Sequence, residues 1–170
     1  MYGTLDARQD ERWQLRFVRT LAHSPDRVWR AITEPEHLAA WFPTTIEGER
    51  KAGAPLRFSF PSGEAEAFDG EILVYQPPHV LEFRWGTDTL RLELQAVEAG
   101  TRLTLIDTLD QRGKAARDGA GWHVCLDSLE AHLQGQPDAR QRMATWGDVH
   151  PHYVQRFGAE AATIGPPDGR

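Results

Sequence analysis

A single cysteine, Cys125, among 170 residues excludes an internal disulfide and any CxxC metal site. Apolar residues never run on for the ~18 positions that a membrane helix requires, which excludes a helical span. The opening stretch MYGTLDARQDERWQ lacks an apolar core, so no signal peptide is expected and a reducing cytoplasm is the default compartment. Lys and Arg form no cluster, and the formal net charge is −6; both features argue against a nucleic-acid surface. Phosphate-binding and nucleophile motifs are missing too. GERKAG at 48–53 lacks the GK[ST] ending of a phosphate loop, and FPSGE at 60–64 is only superficially like a GxSxG elbow. Of the seven histidines, His150 and His152 flank Pro151 with no further ligand pattern nearby. A closed zinc site needs four ligands, so neither metal nor cofactor is expected.

Against these absences stand a hydrophobic content of 40%, six tryptophans and seven phenylalanines. That is enough to build one soluble domain with a sizeable core. Residues 1–11 are polar and are expected to be a flexible end. Trp13, Leu15 and Phe17 then alternate with polar neighbours, the period of a half-buried strand. Ser24 followed by Pro25 is a helix start, since serine caps and proline suits the first helical position. Val28, Trp29 and Ile32 share one face of that helix. A second short helix starts at Pro35, with Leu38, Trp41 and Phe42 on its apolar face, and Pro43 closes it.

From 44 to 108 the period is two almost throughout. Leu56, Phe58 and Phe60 form one set, and Phe68, Gly70, Ile72 and Val74 a second. Leu81, Phe83 and Trp85, then Leu90, Leu92 and Leu94, then Leu103 and Leu105 continue the series. The turns between them are short, which favours an antiparallel meander over parallel strands with crossover helices. A long helix is expected at 119–134, where Trp122, Cys125 or Leu126, Leu129 and Leu133 make one stripe before Gly135 and Pro137. Residues 138–160 suggest two further helical turns around Met143, Trp146, Tyr153 and Phe157, with a loose tail beyond. The expected organisation is a flexible 1–11, a domain at 12–136 and a C-terminal arm at 137–170.

The stretch SPDRVWRAITEPEHLAAWF after an alternating strand, together with the closing pattern GW-x₃-L-x₂-L-x₃-L at 121–133, resembles the START-like (SRPBCC) superfamily. Within it the chain is similar to the HSP-90 ATPase activator homologue branch. The likeness covers roughly residues 13–135. It implies an α+β helix-grip fold: a curved antiparallel sheet wrapped around a long C-terminal helix. Two short helices would follow the first strand, and a ligand cavity would lie between sheet and helix. It says little about activity, because one fold hosts many functions.

On that architecture Trp41, Phe42, Phe58, Phe60, Phe83, Trp85, Trp122 and Leu126 are candidate cavity linings. Arg84, Arg91, His123 and Asp127 are candidate polar orienters for a ligand. His123 and Asp127 are also spaced i, i+4 for a local hydrogen-bonded pair. No residue is singled out as catalytic. Cys125 lies in or beside the apolar stripe, where a thiol behaves as a small hydrophobe. Glu64, Glu66, Asp69 and Glu71 are expected to be a solvated hairpin edge.

The leading expectation is a binding protein for a hydrophobic, aromatic or lipid-like small molecule. Alternatives are a polyketide-type cyclase, dehydratase or hydrolase using the same cavity, or a co-chaperone-like interaction domain with a chaperone partner. The aromatic residues of the arm, Trp146, Tyr153 and Phe157, also offer a surface for homodimer formation.

Overall fold

The computed structural model describes residues 1–136 and 144–166. Expectations placed on Pro137, Met143 and the tail from Pro167 to Gly169 lie outside the described residues. Eight strands form one antiparallel sheet in the order β1-β2-β8-β7-β6-β5-β4-β3. They are β1 (Thr4–Ala7), β2 (Trp13–Leu21), β3 (Thr45–Glu47), β4 (Pro55–Ser59), β5 (Phe68–Gln76), β6 (Val80–Trp85), β7 (Asp88–Val97) and β8 (Gly100–Leu109). Two short helices, α1 (Pro25–Thr33) and α2 (Pro35–Trp41), separate β2 from β3. The long helix α3 (Ala115–Leu133) follows a 3-10 turn, and α4 (Trp146–Phe157) packs on it. This is the α+β helix-grip architecture.

Local chemistry accounts for most of the boundaries. Ser24 Oγ accepts the backbone N–H of Arg27, and Pro25 opens α1. α3 begins at Ala115, four residues before the expected start at 119. Thr145 and Asp148 form a capping box at the start of α4, and Gly158, at φ 86°, ends that helix. Gly119 permits the close approach of α3 and α4. A Cβ there would meet Tyr153 Cδ1 at 3.1 Å and Phe157 Cε2 at 3.3 Å.

Two expectations about the strands are corrected. Residues 1–11 are not a free end: β1 pairs antiparallel with β2, with Leu5 opposite Leu15. What fixes it is tertiary. The Gly3 N–H donates to the Tyr153 hydroxyl at 3.0 Å, and Tyr2 rests on the rings of His123, His152 and Tyr153. Val74 does not share a face with Ile72 and Phe68, because a register shift falls between Ile72 and Val74. That extra residue turns Tyr75 inward, opposite buried Leu81 and 5.5 Å from the Trp29 ring.

The core lies between the inner sheet face and the stripe Trp122, Leu126, Leu129 and Leu133 of α3. Among the described residues no helix is long and apolar enough to cross a membrane. Tyr153, expected on a surface for self-pairing, is instead fully buried against its own chain, and Phe157 packs on it.

Candidate functional site

A cleft of ≈ 400 Å³ opens where the first half of α3 meets the end of β6, the loop after β4 and the start of α4. Its walls are mainly apolar and include four aromatic side chains, Phe60, Trp85, Trp122 and Trp146, with Val124 and Cys125. Arg117, Asp118 and Glu64 supply the polar side chains. Such a volume and lining suit a small organic molecule.

Of the eight apolar candidates, Phe60, Trp85 and Trp122 line this cleft. Phe42 lines a neighbouring groove of ≈ 470 Å³ between α2 and the loop after β4. Trp41, Phe58, Phe83 and Leu126 are buried behind both, as core. Trp41 spends its indole N–H on the Ala31 carbonyl at 2.9 Å and so ties α2 to α1. The inner part of the helix–sheet space is filled by the protein's own rings. Phe58 stands edge-on to Trp85 at 4.9 Å, Phe42 to Trp85 at 5.2 Å, and Trp85 lies 5.7 Å from Trp122. The remaining opening is therefore at one end of the interface, not along its length.

None of the four expected orienters lines the cleft. Arg84 is exposed and pairs with Glu71 at 3.8 Å, and Arg91 reaches Glu82 and Glu93 at 2.6 Å each. Both alternate with inward Phe83, Leu90 and Leu92, so strand parity turns them to the outer face. His123 follows Trp122 by one residue, about 100° around the helix, and therefore faces α4. There the Tyr153 hydroxyl and His123 Nδ1 share a hydrogen bond at 2.9 Å, and His123 Nε2 lies 3.4 Å from Asp127 Oδ2. Arg19 holds the other Asp127 oxygen at 2.6 Å. Burial works against the Asp127 charge, but bonds from His123 and Arg19 outweigh it and lower its pKa. The expected i, i+4 pair is present, inside an interhelical clasp.

Behind the cleft is a group of acids that the motif search does not single out. Trp122 Nε1 donates to Asp107 Oδ2 at 2.8 Å. Asp107 is 0% exposed, and its Oδ1 has no hydrogen-bond partner among the described residues. One oxygen each from Asp88, Asp107 and Asp118 lie within 4.8 Å of one another. Lys114 answers Asp88 at 3.1 Å and Asp110 at 2.5 Å, and Arg117 pairs with Asp118 at 2.6 Å. Burial first, then the neighbouring Asp118 and Asp88, push the Asp107 carboxyl well above the usual range. Burial likewise raises Asp88, against bonds from the Asp110 backbone and Lys114. The signal for these residues was present in the strand pattern. Asp88 shares the inward parity of Leu90 and Leu92, Asp107 that of Leu103, Leu105 and Leu109, and Arg19 that of Leu15, Phe17 and Leu21.

The chain belongs to the family described as activator of Hsp90 ATPase homolog 1-like proteins, which matches residues 22–134. Similar solved structures include a conserved protein of unknown function, EF2215, from Enterococcus faecalis. It has a TM-score of 0.77 at 21% identity, over 91% of this chain and 90% of that one. CalU16 from Micromonospora echinospora has a TM-score of 0.69 at 22% identity, over 94% and 96%. The protein encoded by gene BPP1335 of Bordetella parapertussis has a TM-score of 0.66 at 27% identity, over 84% and 85%. Among curated proteins, none matches the chain at a significant level. The first two likenesses show the helix-grip fold and carry no activity across.

Proposed function

We propose that the protein is a cytoplasmic binding protein for a flat, largely apolar small molecule, taken up in the cleft beside Trp122. The observation that carries this reading is the cleft's lining: four aromatic side chains around ≈ 400 Å³. Each Å² of apolar surface removed from water contributes ~25 cal/mol, so even a three-ring ligand gains useful affinity there. The test is a thermal-shift screen of polycyclic and long-chain apolar compounds, run on the wild type and on Trp85→Ala. A ligand at about a hundred times its Kd adds ~2.7 kcal/mol, or roughly 5–11 °C in a domain of this size. A shift that vanishes in Trp85→Ala supports the cleft. An unchanged shift in that variant places the ligand elsewhere.

A catalytic role in the same cleft is the second reading, favoured by the carboxyl of Asp118 on its wall beside the raised carboxyl of Asp107. Its test is turnover of a poly-β-keto substrate that Asp118→Asn abolishes while binding persists. A chaperone-contact role has less support. Among the described residues the exposed large apolar side chains are Met1 and Tyr2, too few for a broad docking patch.

A further inference from the structure

The hydrogen-bonding inventory around the cleft is lopsided. Two tryptophans on its wall have already spent their N–H groups. Trp122 donates to Asp107 at 2.8 Å and Trp146 donates to the Arg117 carbonyl at 3.0 Å. Both rings therefore offer the cleft an aromatic surface and no N–H donor. The one guanidinium on the described lining, Arg117, places Nε and one terminal nitrogen on Asp118, at 2.6 and 3.3 Å. Those bonds use two of its five N–H groups, so a ligand carboxylate or phosphate would have to share the guanidinium with Asp118. It would also meet Asp118 on the wall and Asp88 and Asp107 directly behind.

Charge points the same way. Asp88, Asp107, Asp110 and Asp118 are answered by Lys114 and Arg117 alone among the ion pairs of this group. Four carboxyl groups thus share two cationic partners. The partnerless, fully buried Oδ1 of Asp107 marks where the compensation is incomplete. A buried carboxyl without a partner is costly, and a positive group placed nearby relieves that cost. Aromatic faces attract cations through their quadrupole, tryptophan most of all. Asp118 and Trp122, at i and i+4 on α3, present a carboxylate and a ring face to the same space.

We infer that the cleft selects aromatic ligands that carry a positive charge, such as a protonated amine, with Asp118, whose two oxygens keep acceptor sites beyond the bonds from Arg117, receiving the charged group and Trp85, Trp122 and Trp146 holding the ring system. This rests on the reading of the cleft as a small-molecule site and adds the ligand class. Asp118 is then the specificity-determining residue: it turns a generic aromatic cleft into one that rejects fatty acids and other apolar anions.

The experiment compares three flat three-ring probes of nearly equal shape at about neutral pH: 9-aminoacridine as the cation, acridine as the neutral compound and anthracene-9-carboxylate as the anion. Affinities are read by fluorescence titration on the wild type, Asp118→Asn and Trp146→Leu. The expected order is cation, neutral, anion. The cation should bind about tenfold tighter than acridine, as a partly desolvated cation–π contact plus a charge-assisted bond would give. Asp118→Asn should reduce that preference to within about twofold, and a far-UV CD spectrum and Tm close to the wild type's show that the variant is folded. Trp146→Leu should weaken the cation more than the neutral probe. Acridine binding as tightly as the cation in the wild type overturns the charge inference and leaves the cleft reading standing. No binding of any probe removes the cleft reading, and this inference with it. Should Mg²⁺ or Ca²⁺ alone raise the Tm and block the cation, the acid group is a metal site and the amine preference is overturned.

Discussion

The Tyr153 hydroxyl on α4 shares a hydrogen bond with Nδ1 of His123 on α3 at 2.9 Å, and the same oxygen accepts the Gly3 N–H ahead of β1 at 3.0 Å. Three parts of the chain, 150 residues apart at the extremes, thus meet at one oxygen atom. Burial is the main cause of the phenol's rise to about 12, so it remains a donor throughout the physiological range. Tyr153→Phe keeps the ring in place and removes both bonds, leaving a buried N–H at Gly3 unsatisfied. The expected loss is about 1–3 kcal/mol in urea unfolding. Amide exchange at residues 3–7 should speed up well before the core does. Uniform acceleration across the sheet would show that the clasp does not hold β1 specifically.

Asp107 gives a prediction with the opposite sign from the usual carboxylate. Its folded pKa lies above 3.8, with burial the leading cause, so the folded chain keeps a proton that the unfolded chain releases. The resulting penalty is absent well below 3.8 and grows as pH rises through the folded value. Asp107→Asn retains an oxygen for the Trp122 N–H and adds an amide donor toward Asp88 and Asp118. Relative to the wild type, the variant should gain stability as pH rises from about 3.5 to about 8, by differential scanning calorimetry. Equal differences at both pH values would mean that Asp107 does not carry the proton.

His132 on α3 and His37 on α2 place Nε2 and Nδ1 2.9 Å apart, with Glu34 3.5 Å from the far nitrogen of His37. Burial, then His37, then Arg27 lower the His132 pKa below 6.5. A lowered value means that folding favours the neutral ring. This contribution is present above 6.5 and is lost as pH falls through the folded value. The urea midpoint should therefore drop between about pH 7.5 and pH 5, and His132→Gln should flatten part of that drop. An identical pH slope in the variant would remove His132 from the acid response.

The parts of the fold that periodicity controls were legible. Ser24–Pro25, the alternating strands and the Trp122–Leu133 stripe each place an element through local chemistry alone. What escaped depends on partners distant in sequence. β1 is polar and forms because α4 supplies Tyr153, and the register shift that turns Tyr75 inward leaves no mark in the alternation of Ile72 and Val74. Arg84 and Arg91, candidate polar orienters, alternate with Phe83 and Leu90, so strand parity itself argues for the outer face. Conversely Arg19, Asp88 and Asp107 sit at inward positions among leucines and phenylalanines. Charges that break an apolar parity are better pointers to built polar groups than charges near a motif.

The two tryptophans Trp41 and Trp85 separate core from cleft. Trp41 is 0% exposed, bonded to Ala31 and edge-on to Phe42 at 5.3 Å, and it does not line the cleft. Trp41→Ala should cost about 3–5 kcal/mol through the cavity it leaves and the unpaired Ala31 carbonyl. That is a large part of the total stability of a domain, so any ligand it loses is lost through unfolding. Trp85 is half-buried, with part of its ring on the cleft wall. Trp85→Phe retains aromatic bulk against Phe42, Phe58 and Phe68 and withdraws the far ring from the cleft. Its Tm should fall by only a few degrees, as about 1 kcal/mol would produce, while affinity for a bound polycyclic ligand falls about tenfold. Trp41→Phe is the matched control: it should lower the Tm more and the affinity less, both measured well below the melting temperature of the weaker variant. If the two substitutions reduce affinity equally at equal folded fraction, the cleft beside Trp85 is not where the ligand sits.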